Sequence, residues 1–322
     1  MVEIFTPEEL KKEVANKKWV FPYTELFAMY DEANDLVELV EDYVPENGLF
    51  AEGWRVFHFP RTSPIVKSSR REGTKSIFLI TPGRAELKLI PAFAPIGIES
   101  AEVSGNEIKI SYAGYGGGGV SASYCRGLAK GVKRIEIEQR GGGSKLGKAA
   151  VVLPLYKQFL VSVDDTDNEE EGATYALAHN IAAAIADGKN IRYITHGNAQ
   201  LYPNNPNKTK NCFSTVIGFA IKPGFEAKIT SYFRKELRKH TLSNHTGMCC
   251  FEGIKIPDEI KAFGDKAKKE FINEIDDVKR LAEENNVKTF AITGERGIIG
   301  ALAAIGLHDD PDYASKLLEK YD

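Results

Sequence analysis

Three aspartates stand within four positions where an apolar run ends. Residues 159–163 form the run, and Asp164, Asp165 and Asp167 follow it. Carboxylates crowded at the edge of a core repel one another unless a cation neutralises them, and Mg²⁺ prefers oxygen ligands of this kind. We therefore predict that the three aspartates bind a divalent metal. Because alternate residues of an extended segment share a face, we expect Asp165 and Asp167 to coordinate together.

A helix is expected to begin just after these aspartates, near Thr174. Gly172 precedes the helix, and an alanine-rich stretch follows. A helix N-terminus offers free backbone N–H groups and the positive end of a dipole to an anion. The combination predicts a metal-bridged phosphate here, contacted by Gly172 and Thr174. The usual role of Thr174 would be that of an N-cap, and in this setting it could also accept a phosphoryl group.

The loop at residues 201–211 could supply cations to the same phosphate. It carries Lys208, Thr209, Lys210 and Asn211 after prolines that stiffen the backbone. Lysines act toward phosphates as point charges. We predict a catalytic role for Lys208 and nucleotide contacts for all four residues.

A glycine-rich turn at residues 293–306 is the third such element. A strand is expected to enter it and a helix of small residues to leave it. Arg296 and Gly297 would then meet an anion at the helix N-terminus. Close packing of that helix would select the same small residues, and the sequence leaves both explanations open.

Other groups of residues are less specific. Glycine clusters at residues 114–119 and 140–145 permit close approach to a ligand, but they fit neither the P-loop nor the dinucleotide-binding spacing. Two histidines and two cysteines between residues 240 and 250 lack a usual zinc spacing. The basic stretch from residue 61 to residue 75 is either a solvated loop or a clamp for a polyanion.

The composition is that of an ordinary globular protein. A chain of 322 residues is long enough for two domains. A net charge of −3 gives no general attraction to nucleic acid, and no apolar run reaches the ~20 residues of a membrane span. The N-terminus lacks the features of a signal peptide, and the four cysteines form no CxxC pair. We expect a cytoplasmic protein with reduced thiols that does not enter membranes.

The apolar periodicity predicts an α/β (α+β) fold with a boundary near Pro154. Residues 1–153 should form a β-rich α+β domain with glycine-rich loops, on the substrate side. Residues 154–322 should form an α/β domain that binds ATP and Mg²⁺. Helices are expected at residues 6–16, 26–44 and 257–284, and strands at residues 56–59, 76–80 and 86–90.

The three phosphate-binding elements resemble those of a known enzyme family in type and order. Residues 161–174, 208–211 and 296–306 are similar to motifs of the kinase-like domain of archaeal agmatinylcytidine synthetase. That family uses ATP to activate a cytidine in a tRNA anticodon. The resemblance implies that Asp164, Asp165 and Asp167 hold Mg²⁺ and the ATP phosphates, and that Thr174 occupies the position of a threonine that can be phosphorylated.

The sequence departs from the synthetase pattern at several points. Ala173 replaces a cysteine, and the glycine after the Lys-Thr-basic core is missing. In 322 residues there is no room for the family's OB-fold and zinc-ribbon modules, which makes a tRNA acceptor a secondary expectation. The whole chain resembles methanogenesis marker protein 11 of methane-producing archaea, on the basis of residues 121–129 and 141–145.

Three functional hypotheses follow. The leading one is a Mg²⁺-dependent, ATP-using, kinase-like transferase or ligase, linked to methanogen metabolism, that acts on an unknown acceptor. The second is a tRNA-modifying enzyme that uses ATP to activate a nucleobase. The third is a non-catalytic factor that senses ATP. The sequence does not indicate an oligomeric state.

Overall fold

The structure is a computed structural model that describes residues 1–43, 48–209 and 211–318. The chain divides into two compact units, Met1–Tyr156 and Lys157–Asp322. The boundary predicted at residue 153 and the observed division both fall within one strand, Gly147–Asp164. That strand therefore contributes its first part to one unit and its last part to the other.

The first unit is built on an extended sheet. Its strands are β1 (Glu3–Phe5), β2 (Glu25–Asp31), β3 (Leu36–Asp42), β4 (Val66–Glu72), β5 (Lys75–Ile80), β6 (Gly83–Arg84), β7 (Ile96–Ser104), β8 (Glu107–Gly114), β9 (Arg134–Gln139) and the start of β10 (Gly147–Asp164). The order is β4-β5-β3-β2-β10-β8-β7-β6, and β9 pairs with both β10 and β1. The contact between β2 and β10 is parallel, and the other pairings in this unit are antiparallel.

Helical segments accompany this sheet. They are α1 (Pro7–Glu13), α2 (Gly48–Thr62), α3 (Gly116–Val120), a π-helical turn (Ser121–Cys125) and a 3₁₀ turn (Arg126–Leu128). The expected helix after Thr6 is confirmed, since Thr6 and Glu9 form a reciprocal capping box. The expected hairpin around Gly105 is also confirmed, and Gly105 has the positive φ of 54° that favours glycine in a tight turn.

The helix expected at residues 26–44 is wrong, because this segment forms the hairpin of β2 and β3. Leu26, Phe27, Ala28 and Met29 are all buried, so both faces of β2 are covered and the alternation typical of a half-exposed strand is lost. Asp35 turns the chain with a positive φ of 49°. Without an alternating pattern, apolar spacing alone did not distinguish the two structures.

Two predicted strands are also wrong. Residues 56–59 belong to α2, and residues 86–90 form no named strand. The basic stretch after residue 61 is the hairpin of β4 and β5, where Arg70 forms ion pairs with Glu38 and Glu72. Part of the positive charge predicted for a clamp is therefore neutralised within the protein. The turn residues 44–47, predicted to end the first long helix, lie outside the described residues.

The second unit has a five-stranded antiparallel sheet in the order β11-β12-β10-β13-β14. The added strands are β11 (Ile191–Gln200), β12 (Phe213–Ile221), β13 (Gly247–Glu252) and β14 (Lys288–Ala291). The helices are α4 (Thr174–Ile185), α5 (Glu226–His240), α6 (Asp258–Lys269), α7 (Ile275–Glu284), α8 (Gly297–Gly306) and α9 (Pro311–Ser315). The helix expected at residues 257–284 is thus two helices.

Helices cover both faces of this second sheet. Val161 and Val163 of β10 pack in one core with α4 and α5, while Leu160 packs in another with α6, α7 and α8. Because β10 is buried on both faces, its sequence is almost continuously apolar up to Asp164. The α/β (α+β) class is confirmed. None of the described helices is both long and apolar enough to cross a bilayer.

Candidate functional site

The aspartates, the start of α4, the loop after β11 and the start of α8 meet around one cavity of the second unit. The cavity has a volume of about 520 Å³. Predicted residues that line it are Asp164, Asp165, Asp167, Gly172, Thr174, Lys208, Thr209, Asn211 and Arg296. Segments distant in sequence therefore converge, although their roles in binding stay predictions.

Asp164 ends β10 with its carboxylate pressed against α8. A Cβ atom added to Gly300 would overlap Oδ2 of Asp164, and one added to Gly297 would lie 2.6 Å from its backbone oxygen. Burial raises the pKa of Asp164 well above its usual range, and the neighbouring Asp165 and Asp167 reinforce the shift. The fold therefore favours the protonated form of this carboxyl group.

Asp165 adopts a strained backbone and forms the main ion pair of the cavity. Its φ is 62°, a left-handed conformation uncommon for a residue other than glycine. Oδ2 accepts hydrogen bonds from Nε and Nη2 of Arg296 at 3.0 and 2.8 Å, and Oδ1 accepts one from Ser243 at 2.8 Å. The Thr246 hydroxyl donates to the backbone oxygen of Asp165 at 2.6 Å. These contacts hold the carboxylate in one orientation.

Asp167 connects the acidic turn to the lysine-containing loop. Its Oδ1 accepts a hydrogen bond from the Thr209 hydroxyl at 3.2 Å. Gly172 turns the chain with a φ of +104°, and a Cβ atom there would lie 2.7 Å from the Cβ of Asp167. Gly172 thus serves the close approach of the two sides of the turn.

Thr174 is the first residue of α4 and not its N-cap, which is Ala173. Its hydroxyl oxygen lies 3.3 Å from the backbone nitrogen of Thr166 and 3.0 Å from the Thr166 hydroxyl. The first i to i−4 bond of the helix runs from Leu177 to Ala173, so the preceding amides have no partner within the helix. Since Gly172, Ala173 and Thr174 line the cavity, the positive end of α4 faces it.

The loop after β11 brings only part of its predicted set to the cavity in a position to bind an anion. Lys208 is exposed, and its ammonium donates to the Pro203 carbonyl. Thr209 contacts Asp167, and Asn211 lines the cavity. Lys210, predicted as a nucleotide contact, lies outside the described residues.

The N-terminus of α8 differs from that of α4. The amides of Gly297, Ile298 and Ile299 donate to carbonyls of His245, Glu295 and Arg296 at 2.9 to 3.1 Å. A Cβ atom on Gly297 would crowd the backbone of Asp164. Close packing therefore explains the glycines of this turn, while the guanidinium of Arg296 is its contribution to the cavity.

The carboxylates do not converge as a three-ligand metal site. Among the described residues, no group of three His, Cys, Asp or Glu side chains is arranged to hold a metal ion. Asp165 is directed to Arg296, and Asp164 to Gly300. The metal assignment stays a prediction, and Mg²⁺ bound to phosphates needs only one or two protein carboxylates. Acidic groups outnumber basic ones in the described lining, so a polyanion would need an accompanying cation.

The cavity also has an apolar side that the sequence did not indicate. Side chains from the end of β11, from β12, from α8 and from the connection between α6 and α7 form it: Leu201, Tyr202, Phe213, Ala267, Phe271, Ile272 and Ile299. Apolar and aromatic walls with a few polar groups are typical of small-molecule sites. The cavity can therefore receive a planar ring at one side and an anionic group at the other.

An aromatic stack at the start of α4 was also missed. The rings of Tyr175 and His196 are stacked with centroids 3.7 Å apart and an angle of 9° between them. His179, one turn after Tyr175, lies 5.7 Å from His196 and accepts or donates a hydrogen bond with Tyr193. Tyr175 lines the cavity and is 46% exposed. Burial and the nearby His179 lower the pKa of His196 to about 4, so its ring is neutral near pH 7.

The two adjacent cysteines lie in β13 and not in a zinc site. Cys249 packs in the core with α8, and Cys250 packs in the core with α4 and α5. Successive residues of a strand point to opposite faces, so the two thiols cannot bind one ion. Burial raises the pKa of both, that of Cys250 to about 12, which disfavours the thiolate.

Comparisons with known proteins find relatives for both the whole chain and the second unit. Residues 160–231 match the family model described as the TiaS TCKD domain. The uncharacterized protein MJ0921 of Methanocaldococcus jannaschii is 41% identical over 297 residues, 92% of this chain and 97% of that protein. The tRNA 2-agmatinylcytidine synthetase TiaS of Thermococcus sibiricus is 31% identical over 153 residues, 45% of this chain and 34% of the synthetase.

Solved structures give a weaker likeness. A complex of TiaS with an isoleucine tRNA and ATP has a TM-score of 0.41 and 21% identity, covering 47% of this chain and 36% of that one. A structure described as a tRNA fluorescent labeling enzyme has a TM-score of 0.41 and 21% identity, covering 46% and 36%. The chain thus spans about a third of the length of the synthetase relatives. The expected resemblance to the synthetase is confirmed for residues 160–231, and the link to methanogenesis stays a prediction.

Proposed function

The chain belongs to the family of the uncharacterized protein MJ0921 of Methanocaldococcus jannaschii, and we propose that it is an ATP-using enzyme that modifies tRNA. The observation that carries the proposal is the convergence of the Asp164–Asp167 turn, the N-terminus of α4 and Arg296 on one cavity with an apolar wall. A nucleoside triphosphate has the matching chemistry, a planar base joined to a polyanion.

Specific roles follow for the predicted site residues. The amides of Gly172 and Thr174 would receive phosphate oxygens at the N-terminus of α4. Lys208 and Arg296 would neutralise charge that develops on the transferred group. Lys208 would have to release the Pro203 carbonyl to do so.

Mg²⁺ would enter with ATP, ligated by phosphate oxygens and by Asp165 or Asp167. When bound, it would offset the negative charge of the phosphates among the acidic groups of the cavity. Asp165 would also fix the guanidinium of Arg296 in place, as the two short hydrogen bonds between them suggest.

Three observations favour RNA as the acceptor. The relative from Thermococcus sibiricus is described as a tRNA 2-agmatinylcytidine synthetase. The Tyr175–His196 stack lies at the cavity with Tyr175 exposed, and unpaired RNA bases stack on such surfaces. On α5, an open groove is lined by Arg234, Lys235, Arg238 and Lys239, whose charge suits a phosphate backbone.

The test is to incubate the purified full chain with ATP and Mg²⁺, with and without an archaeal tRNA pool, and to identify the nucleotide product. We expect consumption of ATP that tRNA stimulates and that Asp165→Asn abolishes. Asp277→Asn is the matched control, because Asp277 is an exposed residue of α7 paired only with the neighbouring Arg280 in the described contacts.

The alternatives give different results. Turnover of ATP at the same rate without tRNA would support the leading sequence-based hypothesis, a transferase acting on another acceptor in methanogen metabolism. Tight binding of ATP without turnover under any condition would support the non-catalytic ATP sensor. Unchanged ATP binding and turnover in Asp165→Asn would contradict the assignment of the site itself.

A further inference from the structure

A buried polar cluster lies in the first unit, around Arg126. Nε and Nη2 of Arg126 donate to the two carboxylate oxygens of Glu41 at 2.7 and 2.9 Å. The Tyr112 hydroxyl donates to Oε1 of the same carboxylate at 2.7 Å. All three side chains are completely buried. An ion pair of this kind is costly to desolvate and is no strong source of stability by itself.

A second arginine brings the cluster to a net positive charge. Arg55 is 6% exposed, its Nη1 lies 3.2 Å from the Tyr23 hydroxyl, and its guanidinium lies 4.3 Å from the centre of the Tyr43 ring. Its Nε lies 3.8 Å from Oε2 of Glu41. Two guanidinium groups, both charged at any ordinary pH, thus share the one carboxylate of Glu41.

These arginines border a cavity of about 300 Å³. Trp54, Gly117 and Ser121 also line it. Three of the five N–H donors of Arg126 bond to Glu41 and Ser121, and within the described part of the chain the other two have no hydrogen bond. Ser121 begins a π-helical turn, a rare conformation that often occurs at functional sites.

We propose that this cavity is a second binding site, for a small organic anion whose carboxylate or phosphate is received by Arg55 and Arg126. The planar fork of an arginine matches both kinds of oxyanion. Trp54 would lie against the apolar body of the ligand. The inference does not depend on the proposed ATP site, because all of its residues belong to the first unit.

A purely structural role explains less. A buried Arg126–Glu41 pair could hold the core of the unit together without any ligand. It would not require a second buried arginine, nor a glycine at position 117, where an added Cβ atom would meet nothing within 4 Å. The open space beside Gly117 is therefore compatible with a larger residue, unless a ligand uses it.

The test uses the full chain with Trp19→Phe, so that Trp54 is the remaining tryptophan of the two. Phenyl phosphate, benzoate and the neutral isostere benzamide are titrated while the fluorescence of Trp54 is followed. We expect a saturable change with phenyl phosphate, benzoate or both, and none with benzamide. Which anion binds more tightly identifies the oxyanion. Arg55→Gln should weaken binding at least about tenfold, the order expected for loss of a charged hydrogen bond.

Two variants keep the test decisive. Arg84→Gln, a change at an exposed arginine of the same unit, should bind as the parent does. Gly117→Val retains both arginines but fills space beside them, and it should abolish binding while circular dichroism shows an unchanged fold. The proposal is overturned by the absence of saturation with both anions, by equal binding of benzamide, or by retained affinity in Gly117→Val.

Discussion

Asp165 combines a strained backbone with three hydrogen bonds to its carboxylate. Its positive φ and the bonds from Ser243 and Arg296 position the side chain at the cavity. Such strain persists only where surrounding contacts enforce it, and it is concentrated at functional sites. The energetic cost of this conformation is consistent with a role for Asp165 beyond stability.

We predict that Asp165→Asn lowers ATP turnover by about 100-fold or more, because it removes a charge that orients Arg296 and balances the bound metal and phosphates. Steady-state kinetics with tRNA present are the measurement. The protein should remain folded, since asparagine also tolerates a positive φ. A loss of activity that merely follows a loss of thermal stability would contradict this role.

Gly300 offers a test of the contact between α8 and Asp164. We predict that Gly300→Ala destabilises the protein by about 1–3 kcal/mol, the usual cost of overpacking, although alanine is the better helix former. The reason is the overlap of the new methyl group with Oδ2 of Asp164. Chemical denaturation measures the effect. Gly117→Ala is the control, because that helical glycine has open space beside it, and equal stabilities of the two variants would refute the prediction.

His196 predicts a pH dependence of stability. Its folded pKa of about 4 lies below the value near 6.5 expected in the unfolded chain, because burial and His179 disfavour the charged ring. Between pH 6.5 and 4 the unfolded state therefore binds the extra proton. The stability contributed by the neutral ring is complete above pH 6.5 and is lost as the pH falls toward 4.

We expect the free energy of unfolding to decline over that interval more steeply in the parent than in His196→Asn. His240→Asn, at an exposed position on α5, should keep the parent's slope. Denaturant titrations at several pH values give the slopes. Identical slopes for His196→Asn and the parent would show that His196 is not held neutral by the fold.

At the scale of elements, the first turn of α4 presents both amides and an aromatic ring to the cavity. We predict that Tyr175→Ala lowers the tRNA-stimulated rate by about tenfold, the order of one base-stacking contact. Turnover of ATP without RNA should change little, and Tyr175→Phe should restore the stimulated rate. Equal losses with and without tRNA would instead assign Tyr175 to the nucleotide side.

Helix α5 makes a separate prediction through its basic groove. The double change Arg238→Gln and Lys239→Gln should weaken tRNA binding and reduce the slope of log K against log salt by about 1 to 2, because each phosphate contact releases counterions. Filter binding at several salt concentrations measures the slope. An unchanged slope would exclude this face from the RNA interface.

Local features of these elements were predictable from the sequence, and long-range ones were not. The strand ending at Asp164 and the helix beginning at Thr174 follow from an apolar run and an alanine-rich stretch that adjoin the aspartates. The pairing of Asp165 with Arg296 joins residues 131 apart, and no local pattern encodes it. The hairpin of β2 and β3 was mistaken for a helix because burial on both faces removed the alternation of a strand.

At the scale of the whole molecule, ligand binding and unfolding should be linked through β10. The strand pairs with β8 and β9 in the first unit and with β12 and β13 in the second. Loss of pairing along one part would expose backbone groups in the other. We therefore expect one cooperative transition of the whole chain.

Both tryptophans, Trp19 and Trp54, lie in the first unit, whereas the proposed ATP site lies in the second. ATP at about 100 times its Kd should stabilise the protein by about 2.7 kcal/mol. The shift should appear equally in tryptophan fluorescence and in far-ultraviolet circular dichroism, and Asp165→Asn should abolish it. A fluorescence midpoint that ATP leaves unmoved would show that the units unfold independently.

The shared strand also bears on inheritance. The TiaS TCKD match begins at residue 160, inside β10, after the positions where Lys157 pairs with Ile221 and Phe159 with Glu252. A recombination event at that point would divide the strand and leave both sheets with unmatched edges. We therefore expect descendants of this gene to keep the two halves together, even where only the second half resembles another family.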